Sequence, residues 1–263
     1  MDRMTERQTT VDDAIAEFYD KLAPDYDAMT GFEQRFVKER PFFKLLVERH
    51  GIHTALDTGC GTGFHSLLLA RLGVHVTALD ISPNMLAIAE RHAKEMQLPI
   101  RFVEGPFHAI PSIAPGPYDA VFSLGNSLAH LLTKDDLALS LAAFATVLSS
   151  HGVLFLQNLN YDRIMEKKEL IQSVKEDKEA TFIRSYEYAD ELIHFNVLKA
   201  IHERASVVQD INTVALCPLL HKELVGLLAD AGFDEIKSFG GIAMDAFRIH
   251  HSRDLVVLAR KKG

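Results

Sequence analysis

The stretch TALDTGCGTGFHSLLLARLG constrains the fold most, because it runs from a short apolar strand through three closely spaced glycines into a helix. Asp57, Gly59, Gly61 and Gly63 fall where the strand turns, and glycine lets backbone approach a ligand there without obstruction from a Cβ. Such a turn belongs at the carboxyl edge of a parallel sheet, where α/β folds bind nucleotide-type ligands. Dinucleotide-binding turns space their glycines as G-x-G-x-x-G and want a small residue at 64, where this chain carries Phe64. Asp57, two residues before the first glycine, adds to the case against a dinucleotide.

The flanking pattern has βαβ rhythm: strand over 54–57, helix over 63–72, strand over 75–80, and a helix after Ser82, which caps it while Pro83 takes the first helical position. Apolar runs at 100–103, 120–124 and 153–156, with a helix over 135–148, extend this to a doubly wound, mostly parallel sheet. Helical spacing over 14–26 and 32–49 places two helices ahead of it. After a charged segment at 165–180, alternation over 181–188, 192–203 and 205–215 predicts an antiparallel β insertion after the fifth strand. A helix over 219–231 and a run at 254–259 complete the sheet. The expected organisation is a helical lid at 1–50, a ligand-binding domain at 51–160 and 214–263, and an inserted β-rich, acceptor-side segment at 161–213.

A formal net charge of −8, with no Lys/Arg-dense stretch, argues against a nucleic-acid partner. Cys60 and Cys217 have no paired spacing, which fits a reducing compartment. The polar amino terminus has no signal-peptide core and no apolar run reaches bilayer length, so the expected location is cytoplasmic, off the membrane. Self-association into a homo-oligomer stays open. The histidines, including His50, His53, His250 and His251, match no metal-ligand spacing, and no G-x-S-x-G elbow is present.

Asp80 closes the second strand seventeen residues after Gly63, where a carboxylate can accept hydrogen bonds from two ribose hydroxyls. With all these elements in register, LDTGCGTG followed by ALDIS resembles the first two motifs of the class I S-adenosylmethionine-dependent methyltransferases, over roughly residues 50–160. HGIHTALDTGCGTG, YDAVFSLGNSLAHL and NYDRI resemble the glycine N-methyltransferase branch in particular. The resemblance implies a Rossmann-like fold, S-adenosylmethionine as cofactor, and a cofactor site built from Tyr26, Arg35, Asp57, Gly59, Cys60, Gly61, Asp80, Ile81, Met85, Pro106, Phe107 and Leu124. Within it, Arg35 would bind the methionine carboxylate, and Pro106 and Phe107 would line the adenine. Most class I members carry an acid at position 106, which Pro106 cannot replace. Read alone, Arg35 is also an ordinary exposed helix charge, and Tyr19 and Tyr26 are also ordinary core aromatics.

Gly125, Asn126, Ser127 and His130 lie beyond the fourth strand, at the crevice edge where such sheets hold ligands. Asn126 is suited to orienting polar groups and His130 to taking a proton; an Asn-capped turn and a packed histidine are the plain alternatives. The expected activity is methyl transfer to a small-molecule acceptor, an amine nitrogen first. An O-methyltransferase, a protein-modifying methyltransferase and a non-catalytic cofactor-binding module remain as alternatives. In the branch it resembles, an arginine before the NY pair clamps the substrate carboxylate, and LQNLNYD places Leu159 there. Arg184 or Lys199, on the later strands, are the candidates to restore that charge.

Overall fold

The computed structural model describes residues 10–176, 180–202 and 207–263. The polar lead-in over 1–9 lies outside the described residues, as do the residues at 203–206 where two of the alternating runs meet. Two helices, α1 (Val11–Thr30) and α2 (Phe32–His50), come first. Then β1 (Thr54–Thr58), α3 (Phe64–Arg71), β2 (His75–Asp80), α4 (Pro83–Glu95), β3 (Ile100–Glu104), α5 (Ile110–Ile113), β4 (Tyr118–Ser123), α6 (Lys134–Val147) and β5 (Leu148–Leu159) follow in turn. Helix α7 (Tyr161–Lys167) leads into β6 (Ile171–Glu176), β7 (Ala180–Ala189), β8 (Leu192–His202) and β9 (Val207–Leu216). Helix α8 (His221–Asp230), β10 (Phe233–Phe239) and β11 (Asp254–Lys261) complete the chain.

The main sheet has seven strands in the order β10-β11-β5-β4-β1-β2-β3, and β6 to β9 form a separate four-stranded antiparallel sheet. This is a Rossmann-like, mostly parallel sheet with an antiparallel addition after the fifth strand. The order reverses direction between β1 and β4, which run parallel, so their carboxyl ends open the crevice where such sheets bind ligands. The terminal run is a strand, but it inserts antiparallel between β5 and β10 and is not the last in space. Neither β6 nor β10 was anticipated from the pattern. Strand β6 lies inside the charged segment at 165–180 and is largely solvent-facing, so it has no buried face to impose alternation.

Period-two alternation splits the central strands between two cores. Leu56, Val121, Leu154 and Val257 pack under α6 and α8, whereas their neighbours Ala55, Phe122, Phe155 and Val256 pack under α2 and α3. Helix α1 is started by a reciprocal capping box between Thr10 and Asp13. Its buried face, Ile15, Phe18, Leu22 and Met29, joins Met85 of α4 to Phe182, Val197 and Val214 of the antiparallel sheet. Asp20 of α1 accepts from Ser82 Oγ at 2.5 Å and Asn84 N at 3.1 Å, and Asn212 of β9 donates to Phe18 O at 2.7 Å. The helix is therefore fastened on both sides and roofs the carboxyl end of the main sheet.

Gly63 and Gly73 have nearly the same positive φ, 86° and 88°, but a Cβ at Gly63 would sit 2.9 Å from Ala89 Cβ, whereas one at Gly73 meets nothing within 4 Å. Both alanine variants pay the left-handed backbone strain of about 1 kcal/mol, and only Gly63→Ala adds overpacking of about 1–3 kcal/mol between α3 and α4. Urea unfolding is expected to show Gly63→Ala less stable than Gly73→Ala by that difference. Equal midpoints and slopes would show that α3 and α4 are not closely packed at this turn.

Candidate active site

The glycine turn after β1 is fixed by hydrogen bonds from its own backbone. Cys60 N donates to Leu79 O at 3.0 Å, and Gly61 N donates to Asp80 Oδ2 at 2.7 Å. Ser82 N donates to the other carboxylate oxygen of Asp80 at 2.9 Å. One side chain thus ties the turn after β1 to the start of α4, with the Ile81 N–H as a third backbone donor acting on it, and its oxygens retain acceptor capacity. Asp80 is buried, and burial raises its carboxyl from the ordinary 3.8 to about 6 against the pull of these N–H donors. Close approach demands glycine at Gly59, where φ is +67° and a Cβ would lie 2.6 Å from Ser127 Oγ.

The turns after β1, β2, β3 and β4 line a chamber that is partly open to solvent. Its walls include Gly59, Gly61, Asp80 and Ile81, then Pro106, Phe107 and Leu124, with Tyr19 and Tyr26 of α1 as the roof. Pattern reading missed Gly105, whose φ of +152° turns the chain into Pro106, and Asp12 and Ile15 on α1, which enter only because that helix folds back over the sheet. The glycine before Pro106 was the available signal.

Arg35, Asp57, Cys60 and Met85 are not in this wall. The Arg35 guanidinium lies 4.0 Å over the Phe64 ring and donates from Nε to Glu39 Oε1 at 2.7 Å. Its Nη2 lies 3.2 Å from His65 Nε2. Asp57 accepts from Ser66 Oγ at 2.5 Å, bracing the first turn of α3, with its carboxyl pushed up by burial. Cys60 is half-buried, its thiol also held up by burial. Met85 is fully enclosed between α4 and α1.

A second, partly open chamber of about 540 Å³ lies between β5, α1 and the antiparallel sheet. Tyr19, Tyr26, Gly125 and His130 line both chambers, so the two spaces meet at these four residues. His130 sits in the 3-10 turn after β4, its Nε2 at 2.7 Å from the Tyr19 hydroxyl and its Nδ1 buried without a partner. Desolvation lowers its pKa to about 4 and holds the Tyr19 phenol well above its ordinary range, so both are neutral at pH 7. The expectation that His130 takes a proton near neutrality does not allow for this burial. Asn126 lines the second chamber only, and its carboxamide is engaged at both ends: Nδ2 donates to Tyr161 OH at 2.8 Å and Oδ1 accepts from Leu159 N at 3.0 Å. Leu159 is also in the wall, whereas Lys199 is not and pairs with Asp25 at 2.6 Å.

Among the described residues, no cluster of three or more His, Cys, Asp and Glu side chains is placed to hold a metal, and no helix is long and apolar enough to cross a membrane.

The methyltransferase-domain family matches residues 55–152. The glycine/sarcosine N-methyltransferase of Parasynechococcus marenigrum is 30% identical over 230 residues, covering 87% of this chain and 80% of that protein. Human glycine N-methyltransferase is 32% identical over 133 residues, 46% of this chain and 45% of its own length. In structure, an S-adenosylmethionine-dependent methyltransferase from Clostridium acetobutylicum superposes with a TM-score of 0.80 at 16% identity, over 93% of this chain and 99% of that one. The glycine cradle that a Cβ would fill and the buried carboxylate with remaining acceptor capacity fit the cofactor these proteins share. On the match that spans four fifths of the first relative, the chain belongs to the class I S-adenosylmethionine-dependent methyltransferases, within the glycine N-methyltransferase branch.

Proposed function

We propose that the chain methylates an amine nitrogen of a small molecule, with the cofactor in the first chamber and the acceptor in the second. The observation that carries this reading is that the two chambers share the wall formed by Tyr19, Tyr26, Gly125 and His130. The two relatives are named for methylation of glycine nitrogen, which supports an amine acceptor.

When bound, S-adenosylmethionine supplies an electrophilic methyl carbon on a positively charged sulfur. Asp80 offers its remaining acceptor capacity to the ribose hydroxyls, and Gly59 and Gly61 give the ligand close backbone contact. Pro106 and Phe107 pack an adenine face. The rings of Tyr19 and Tyr26 suit a cationic centre. Arg35 reaches the methionine carboxylate only by leaving Glu39, so in this reading it acts through a rotamer change on binding.

Transfer is an in-line displacement, so most of the rate comes from holding the acceptor in a dry, oriented position. A neutral imidazole with a pKa near 4 does not store a proton from an alkylammonium at pH 7. His130 instead orients: its ring and the Tyr19 hydroxyl receive and direct an uncharged amine. Asn126 is a positioning residue that locks the turn after β4 against β5 and α7. Leu159 occupies the wall where a clamping arginine would stand, so glycine finds no bidentate partner at that position.

His130→Ala and Asn126→Ala are expected to leave cofactor affinity within a few fold and to slow transfer by roughly tenfold to a thousandfold, and kcat of the parent is expected to show no inflection near pH 6.5, because burial keeps His130 neutral there. Variants that turn over like the parent on an identified amine would make both residues structural. Glycine itself is expected to be a poor acceptor. A turnover near one per second with millimolar glycine, followed as S-adenosylhomocysteine release, would show that Leu159 does not decide specificity.

The Asp80 carboxyl predicts a pH dependence of cofactor binding. Its folded value of about 6 lies above the ordinary 3.8, so its ionisation costs stability as pH rises through that window, and the ligand's hydroxyls need the ionised form. Calorimetry with S-adenosylhomocysteine is expected to give constant affinity above pH 7 and roughly tenfold weaker binding per unit below pH 6. Flat affinity down to pH 5 would mean that Asp80 is not the ribose acceptor.

A further inference from the structure

The second chamber carries an unbalanced charge. Three arginines and two carboxylates line it: Arg163, Arg184 and Arg253 against Glu169 and Asp254. Arg163 Nη2 lies 3.4 Å from Glu169 Oε2, and Arg253 acts electrostatically on the adjacent Asp254. Arg184 is left over. Its guanidinium is half-buried and donates from Nη2 to the Met29 carbonyl at 2.9 Å, and no carboxylate among the described residues pairs with it. A partly buried cation that meets only a neutral carbonyl is poorly compensated.

Strand register points this cation into the chamber. Arg184 is on β7, opposite Ser173 of β6 and Val197 of β8, and both neighbours line the same chamber, as does Tyr186 two residues on. Arg184 also acts on Tyr26, one of the residues shared with the first chamber, so its field reaches the place where the two spaces meet. Asn158, in the same wall, has both carboxamide atoms buried and without a hydrogen-bond partner. Buried polar atoms without partners mark a place where a polar guest is missing.

We propose that Arg184 is the specificity-determining residue of the acceptor chamber and that it binds a carboxylate of the acceptor. The planar guanidinium fork matches a carboxylate in two parallel hydrogen bonds, which a lysine cannot copy. The anion is held from β7 of the antiparallel sheet rather than from β5, where Leu159 stands. A partly open chamber of about 540 Å³ has room for an acceptor larger than glycine. The acceptor class is thus an amine that also carries a carboxylate and is larger than glycine, with ω-amino acids as its simplest members. This inference rests on the amine reading above.

The test uses S-adenosylhomocysteine-loaded protein titrated calorimetrically with 4-aminobutanoate and with its neutral amide. The acid is expected to bind at least tenfold more tightly than the amide. Arg184→Gln is expected to erase that preference and Arg184→Lys to keep part of it, with S-adenosylhomocysteine affinity within twofold in both. Equal binding of acid and amide, no binding of either, or a preference that survives in Arg184→Gln would overturn the proposal. The amine reading stands or falls separately, on whether any amine in a broad panel consumes S-adenosylmethionine.

Discussion

The buried carboxylate of Asp80, shared between Gly61 N and Ser82 N, is the contact on which the rest of the site depends. It joins the turn after β1 to the cap of α4, and Ser82 in turn donates to Asp20 of α1. Turn, helix start and roof are therefore positioned by one short chain of hydrogen bonds. Asp80 is costly to bury, and that cost is offset only in part by the backbone donors Gly61, Ile81 and Ser82. In the proposed reading, the ribose hydroxyls supply the further donors, so the same group both shapes the turn and binds the diol.

Helix α1 roofs an open crevice and divides it into two partly open spaces. Its apolar face is held between α4 and the antiparallel sheet, and its tyrosines close the junction. The consequence is electrostatic as well as steric. Enclosure raises the phenols of Tyr19 and Tyr26 and lowers the imidazole of His130, so the junction is uncharged at neutral pH. An uncharged junction suits the proposed transfer between a cationic donor and a neutral nucleophile, in which no net charge is created.

What was legible in the sequence was what depends on local chemistry. Gly59, Gly61 and Gly63 are needed by positive φ and close approach, and Ser82 with Pro83 writes a helix start in adjacent residues. Asp80, Ile81, Pro106, Phe107 and Leu124 follow because each stands just after a parallel strand. Arg35, Asp57, Cys60 and Met85 carry the family spacing, yet their side chains are directed to Glu39, to Ser66 or into the protein. Spacing sets where a Cα lies and not where a long side chain ends. The contact of His130 with Tyr19, and the place of Arg184 in the same chamber wall as Leu159, depend on how α1 and the antiparallel sheet dock, which no local pattern encodes. Strands β6 and β10 were invisible for a related reason: most of β6 and part of β10 face solvent, so their sequences carry little buried alternation.

The most direct measurement is calorimetric titration of S-adenosylhomocysteine into the wild-type protein and Asp80→Ala at pH 7.5, with folding of the variant checked by circular dichroism. Replacing a buried acceptor of two ribose hydroxyls by a methyl is predicted to cost about 2–4 kcal/mol, which removes measurable binding at micromolar concentrations. Unchanged affinity in a folded Asp80→Ala protein would contradict the account, because the carboxylate that organises the turn would then play no part in holding the cofactor.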